Sequence, residues 1–348
     1  MNMRFILTAA LAALVGTAAH AQPLPKTQLK IVGGLSNLAP YTDFEKPFWT
    51  TTVPSLSGGQ ITADIKGFNE MGLKGPEMLR LMSQGVVEFG TATLSYFASD
   101  DPINEAVDLA GLTTDAKTQR QVVAAFEPVY EKLYGGANGV KLLGLSPYPA
   151  QVLFCNADMK GLADLKGKKV RTSSRTQAEL IEALGGTSVT MAFGEVVPAM
   201  QNKVVDCAIT GSMSGYSAKW YEVSTHLVAL PINWNPQIHA VNQKAWDRLD
   251  PKVQTFLQTN IDKMLDAMWN GAAAQTQLGF DCNTGAAACQ QPVKGKMVLV
   301  QPSDADRALL KKTMQDTVLP KWAARCSAQC VSDFNATIGK TLGLTARK

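Results

Sequence analysis

Short apolar runs alternate along the chain with stretches of helical spacing, and the alternation predicts an α/β protein. Strands are expected at Leu29–Val32, Gln60–Phe68, Glu88–Thr93, Val140–Leu145, Lys169–Thr172, Ser188–Met191, Val204–Ile209 and Val298–Val300. Helices are expected at Phe44–Val53, Glu77–Gln84, Gln177–Leu184 and Gly194–Asn202. Ala116–Tyr134 reads as an amphipathic helix broken by Pro128 and closing at Gly135-Gly136. Asp250-Pro251 supplies a cap and a first-turn proline for a long helix. Its stripe of Val253, Phe256, Leu257, Ile261, Met264, Leu265 and Met268 reads as core. Cys282–Gln291 reads as a surface loop, and Ser303 or Asp304 caps a last helix reaching Trp322.

Two proline-marked passages interrupt this pattern. Pro147-Tyr148-Pro149 follows one predicted strand, and Pro231 and Pro236 flank Asn233-Trp234-Asn235. Two crossings of this kind fit a hinge between two lobes, and 348 residues are enough for two cores. Trp234 reads as either core or cleft wall, with Phe193, Tyr216, Trp220 and Tyr221 as rival aromatics.

Composition narrows the class. With 46% hydrophobic and 18% charged residues the chain is that of an ordinary globular protein. A net charge of +4 without a basic block gives no nucleic-acid surface. Met1–Ala21 has Arg4, an apolar run and Ala19-His20-Ala21, the pattern of a signal peptide cleaved after Ala21. The mature protein is therefore expected in the periplasm, exported and not membrane-embedded, as no stretch reaches about 20 apolar residues.

Six cysteines suit an oxidising compartment. Local pairs Cys282–Cys289 and Cys326–Cys330 would leave Cys155 and Cys207, both on predicted strands, although six cysteines allow 15 pairings. The spacings lack the paired rhythm of a zinc site, so disulfides are expected and no metal or cofactor. Catalytic parts are also missing. Gly211-Ser212-Met213-Ser214-Gly215 has methionine where a nucleophile elbow needs serine, and only His226 and His239 follow the leader. Gly33-Gly34 after a strand lacks the spacing of a dinucleotide fingerprint, so no enzyme is expected.

The stretch Asp164–Gly211 organises the rest: strand, helix, strand, helix, strand, with parallel pairing expected. Arg171 ends its first strand, where ligand groups gather in such layers. On composition alone it reads as a solvated charge beside Lys168 and Lys169. The pieces Asp164-Leu165-Lys166-Gly167-Lys168-Lys169-Val170-Arg171, Glu182-Ala183-Leu184-Gly185, Val189–Val196, Ala199-Met200-Gln201 and Val205-Asp206 change that reading. In order and spacing the stretch resembles the signature region of solute-binding proteins of tripartite ATP-independent periplasmic (TRAP) transporters, C4-dicarboxylate type. The resemblance implies a two-lobed periplasmic binding protein fold with a hinge and a long bracing helix. It implies lobe 1 over residues 22–146 and 235–290, lobe 2 over 147–234, and a C-terminal segment, 291–348, packing across the lobes.

The resemblance also implies a role for Arg171 as the salt-bridge partner of a substrate carboxylate. Members of the family often carry a second arginine upstream; here Gly144–Phe154 holds Tyr148 and Gln151 but no arginine. The expected ligand is thus a small organic acid with one carboxylate and a neutral or aromatic remainder, handed to the membrane permease subunits. Asn37, Glu70, Thr91, Tyr148, Phe193, Thr210, Tyr216 and Trp234 are the expected companions of Arg171. Thr91 also reads as an ordinary strand residue. Glu70, if it lines the cleft, must accept a hydrogen bond from a ligand hydroxyl, since its charge repels an anion. A periplasmic sensor with the same fold, or a secreted hydrolase, are the alternative readings.

Overall fold

The computed structural model describes residues 23–348, so the expected leader Met1–Ala21 lies outside the described residues. Two sheets form two lobes. The first has the order β2 (Ile61–Gly67), β1 (Thr27–Gly33), β3 (Phe89–Thr93), β10 (Gln237–Asn242), β4 (Val140–Ser146). The second has the order β11 (Val298–Val300), β9 (His226–Asn233), β5 (Gln151–Cys155), β8 (Cys207–Gly211), β6 (Lys169–Thr172), β7 (Thr187–Thr190). Strands β6, β7 and β8 pair in parallel, as the helix-separated pattern predicts. In each sheet one strand runs against its neighbours: β10 in the first and β5 in the second. Each is the strand that arrives from the other lobe.

The two passages lie side by side. The Tyr148 amide donates to the Trp234 carbonyl at 3.1 Å, Ser146 is paired with Gln237 on one side and Gln151 with Asn233 on the other. An antiparallel pair of chains thus runs from one sheet into the next. Asn235 turns the second passage at φ 48°, a left-handed conformation that asparagine tolerates better than most side chains.

A third connection is the helix Pro251–Thr284, capped by the Asp250 side chain. Its expected apolar stripe packs on the first sheet with Leu29, Trp49, Phe89 and Trp246. Its far half reaches the second lobe, where Thr276 accepts from the Ala150 amide at 2.9 Å. Helices over Asp304–Thr313, Leu319–Arg325 and Ala328–Phe334 close the chain. Leu310, Met314, Val318, Trp322 and Phe334 join one cluster with Val122, Phe126 and Tyr130 of the first lobe and Leu162, Leu180 and Ile181 of the second.

Two boundaries depart from expectation. The Ala116–Ala137 helix runs unbroken through Pro128 and past Gly135-Gly136, and Gly139 (φ 58°) takes the left-handed position after it. Proline costs a helix interior about 3 kcal/mol, but Val122, Val123, Phe126, Tyr130 and Tyr134 bury one face of this helix across the interruption. Cys282 also belongs to the last turn of the long helix, which ends at Thr284 before Gly285 at φ 80°. Three disulfides pair Cys155 with Cys207, Cys282 with Cys289 and Cys326 with Cys330. The first ties directly opposed residues of β5 and β8.

Candidate ligand-binding cleft

Arg171 stands at the end of β6, between β7 and β8, and is 3% exposed. Its neighbour on the same face, Lys169, stays in solvent at the start of the strand. Backbone carbonyls hold the guanidinium in place: Nε and Nη2 donate to the Met191 carbonyl at 3.1 and 3.0 Å, and Nη1 donates to that of Ile209 at 2.7 Å. Of the five N–H groups of an arginine, one on each terminal nitrogen is left over. None of the ion pairs among the described residues includes Arg171. Burial pushes its pKa down to about 10, with Tyr96 and Glu195 acting the other way, so it remains a cation at neutral pH.

An aromatic floor lies under it. The guanidinium sits 6.0 Å from the ring centroid of the buried Trp220. Phe193 stacks on the same indole at 5.3 Å. Charge and ring are therefore presented together to one space.

That space is a cleft of about 1000 Å³ between the lobes. Phe68, Leu73, Pro76 and Tyr96 line it from the first lobe, and Arg171, Met191, Phe193 and Glu195 from the second. Tyr96 fits because Gly75 has no side chain, since a Cβ there would lie 2.1 Å from the ring. Burial raises the Tyr96 pKa although Arg171 pulls it down, so the phenol is a neutral donor. Behind Arg171 the cleft adjoins a void of about 20 Å³. Thr93, Tyr148, Gln151, Thr210, Ser214 and Asn235 bring neutral polar groups to its wall.

The expected site residues divide in two. Arg171, Tyr148, Phe193 and Thr210 come together at the inner void. Trp234 is 2% exposed and packs in the second lobe with Val152, Phe154 and Ala272, which is the core reading and not the cleft wall. Thr91 faces back into the first lobe, 3.2 Å from His239 Nδ1, on a separate small void. Asn37 is exposed, while Leu35 and Leu38 of its loop reach the inner void. Glu70 is exposed and accepts from the Gly67 amide at 2.8 Å, so its carboxylate caps its own turn. Tyr216 donates to the Val293 carbonyl and stacks on Tyr221 beside the Cys282–Cys289 bridge.

Sequence reasoning missed several buried acids, among them Asp108 and Glu45. Asp108 accepts from Asn233 Nδ2 at 2.6 Å and from the Trp234 and Asn235 amides at 2.8 and 3.0 Å, pinning the second passage. Glu45 is fully buried and accepts from the Gly34 amide at 3.3 and 3.2 Å. Burial raises each pKa to about 7. No local pattern marks either residue, because both partners are distant in sequence or in the backbone.

The Glu45 shift has a pH signature. A carboxyl with a raised folded pKa contributes stability that is full below the unfolded value and is lost as pH rises through the folded one. For Glu45 that window runs from about 4.5 to about 7. His239 acts oppositely: burial lowers its pKa to about 4, so its contribution is lost as pH falls through the same range. Wild-type stability therefore sums opposing contributions, with Asp108 acting in the same direction as Glu45. The difference between Glu45→Gln and wild type, measured by urea denaturation, is expected to shift toward the variant as pH rises from 4.5 to 7.5. A pH-independent difference would rule out the shift.

Residues 40–323 match the bacterial extracellular solute-binding proteins of family 7. The ectoine-binding periplasmic protein TeaA of Halomonas elongata is 24% identical over 210 residues, 59% of this chain and 61% of that protein. The C4-dicarboxylate-binding periplasmic protein DctP of Rhodobacter capsulatus is 26% identical over 209 residues, 58% of this chain and 61% of that protein. The matches thus span less than two thirds of those relatives' lengths. Among solved structures, a TRAP periplasmic solute-binding protein of Desulfovibrio salexigens with bound orotic acid superposes with a TM-score of 0.78 at 18% identity, covering 91% of this chain and 98% of the other. A Bordetella pertussis extracytoplasmic solute receptor binding pyroglutamic acid superposes with a TM-score of 0.73 at 24% identity, covering 89% and 98%. These likenesses agree with the two-lobed fold.

Proposed function

This chain belongs to the bacterial extracellular solute-binding proteins of family 7, and from that premise we propose that it captures a small organic acid with one carboxylate between its lobes and delivers it to a TRAP membrane permease. One observation carries the reading: a buried arginine with a free N–H on each terminal nitrogen and no carboxylate paired with it among the described residues. Leaving a buried cation unpaired costs several kcal/mol, and a bidentate carboxylate supplies both the charge and the geometry. The remaining groups at the inner void are neutral, which favours one charged head group over two. Relatives are described with acids of this kind, among them orotic acid, pyroglutamic acid and L-gulonate.

The paired passages and the Asn235 turn supply the pivot on which the lobes close. Closure removes water from the cleft and strengthens the ion pair. Met1–Ala21 would direct export to the periplasm. No described helix is long and apolar enough to cross a membrane, so the permease is a separate partner in this reading.

A thermal-shift screen of the purified protein against carboxylic acids and their methyl esters tests the proposal. Acids are expected to raise the melting temperature at excess concentration, and esters to leave it unchanged. Equal shifts from ester and acid would overturn the proposal. The ligand should be recovered unchanged.

A further inference from the structure

Gly33-Gly34 leads into the loop whose Leu35 and Leu38 line the inner void. Both glycines press on one buried carboxylate. A Cβ on Gly33 would lie 2.7 Å from the Tyr41 ring and 3.0 Å from Glu45 Oε2. One on Gly34 would lie 2.9 Å from Gln237 Nε2 and 3.0 Å from Glu45 Oε1. Glu45 thus sits fully buried behind the first-lobe wall of the void, both oxygens accepting from the Gly34 amide.

The groups that face Glu45 are neutral. They are Tyr41 of its own segment, Thr91 of β3, Gln237 of β10 and Tyr148 of the first passage. The long helix meets this segment through Gly271 and Gln275, neither of them charged. His239 lies behind Thr91 and is uncharged at neutral pH. Asp64 and Glu70 lie beyond Tyr41 and act on its phenol. None of the ion pairs among the described residues includes Glu45. An ionised carboxylate so placed leans on its hydrogen bonds, on water in the open cleft and on the field of Arg171 across the void.

Loading removes two of those three supports. The ligand carboxylate neutralises Arg171, and closure expels the water. Both changes favour the protonated acid, and burial already brings this carboxyl to about 7.

We propose that the cleft takes up a proton together with its organic anion, and that Glu45 is the residue that accepts it. The inference rests on the carboxylate reading of Arg171 and gives that site a pH dependence that the guanidinium cannot supply. Its sign follows from linkage. Affinity is highest where Glu45 is already protonated and falls as pH rises through the carboxyl's midpoint in the unloaded protein.

Titration calorimetry of the purified protein with orotate, pyroglutamate and L-gulonate tests it, run in two buffers of different ionisation heat so that proton uptake is read beside affinity. For whichever acid binds, affinity is expected to fall about three- to tenfold from pH 6 to 8.5, with about 0.3–0.5 proton taken up per ligand near pH 7.5. Glu45→Gln is expected to flatten the profile and abolish the uptake. Thr91→Val removes a hydroxyl that favours the charged carboxyl, so uptake should move to higher pH. Thr91 does not bond Asp108, the other acid near 7, so this second variant decides between the two acids even if Glu45→Gln does not fold. Binding without proton uptake, uptake that survives Glu45→Gln, or uptake that Thr91→Val leaves in place overturns this proposal alone. Absence of binding by every acid overturns the carboxylate site and this proposal together.

Discussion

Arg171→Ala is expected to weaken acid binding by about 2–5 kcal/mol, roughly 30- to 5000-fold. The loss is large because the bound carboxylate would be left desolvated without its partner. Arg171→Lys should recover little of it, since an ammonium has no planar fork and cannot also reach the Met191 and Ile209 carbonyls that fix the present geometry. Titration calorimetry of both variants, with circular dichroism to show that they fold, is the measurement. Unchanged affinity in a folded Arg171→Ala protein would remove this residue from the site. With its pKa near 10 the guanidinium stays charged between pH 5 and 8, so any change of affinity across that range belongs to other groups.

The second large effect concerns stability. Arg325 reaches from the C-terminal helices to two buried carboxylates. It donates to Glu105 at 2.8 Å and pairs with Glu179, whose side chains are 2% and 3% exposed. Glu105 also accepts from the Thr176 amide at 3.3 Å, so first lobe, second lobe and C-terminal segment meet at one cation. Arg325→Met leaves Glu105 buried without a cation and Glu179 with only its longer pair to Arg175, at 3.3 Å. The expected cost at pH 7.5 is about 3 kcal/mol, the low end for such a break because Arg325 is itself 26% exposed. Burial already raises the Glu105 pKa against the pull of Arg325. Without that pull the carboxyl rises further and takes up a proton sooner, so the deficit should shrink as pH falls toward 5. Urea denaturation at the two pH values reads this directly. A deficit that is absent at pH 7.5, or that grows on acidification, would contradict the assignment.

Much of the framework was legible in the chain because local signals agreed with one another. Asp250-Pro251 starts the long helix where its cap and proline say it should. Gly185 ends the Arg175–Ala183 helix at φ 81°, and the spacing of short apolar runs gives the parallel trio β6, β7 and β8. Pro128 misled because a locally unfavourable residue sits under a long buried face, and packing outweighs propensity. The site was legible only in part. Arg171 is found from strand position and resemblance, and Tyr148, Phe193 and Thr210 lie on elements beside it. Ser214, Gln151 and Asn235 reach the same void from three separate segments, a convergence that no window of sequence contains. Glu70 and Asn37 lie on suitable loops, but a side chain that bonds its own backbone, or faces water, is not available to a cleft. Trp234 went to the core because the Asp108 carboxylate holds its amide and fixes the direction of the passage.

The cluster that Leu310, Met314, Val318, Trp322 and Phe334 complete for both lobes is the part of the core that depends on the end of the chain. A chain emerging from its N-terminus cannot close that cluster, or seat Trp322 Nε1 on the Pro102 carbonyl, until residues 304–342 have been released. Until then each half keeps an open apolar flank, while the clusters around Leu257 and around Trp220, which hold no residue of these helices, do not depend on them.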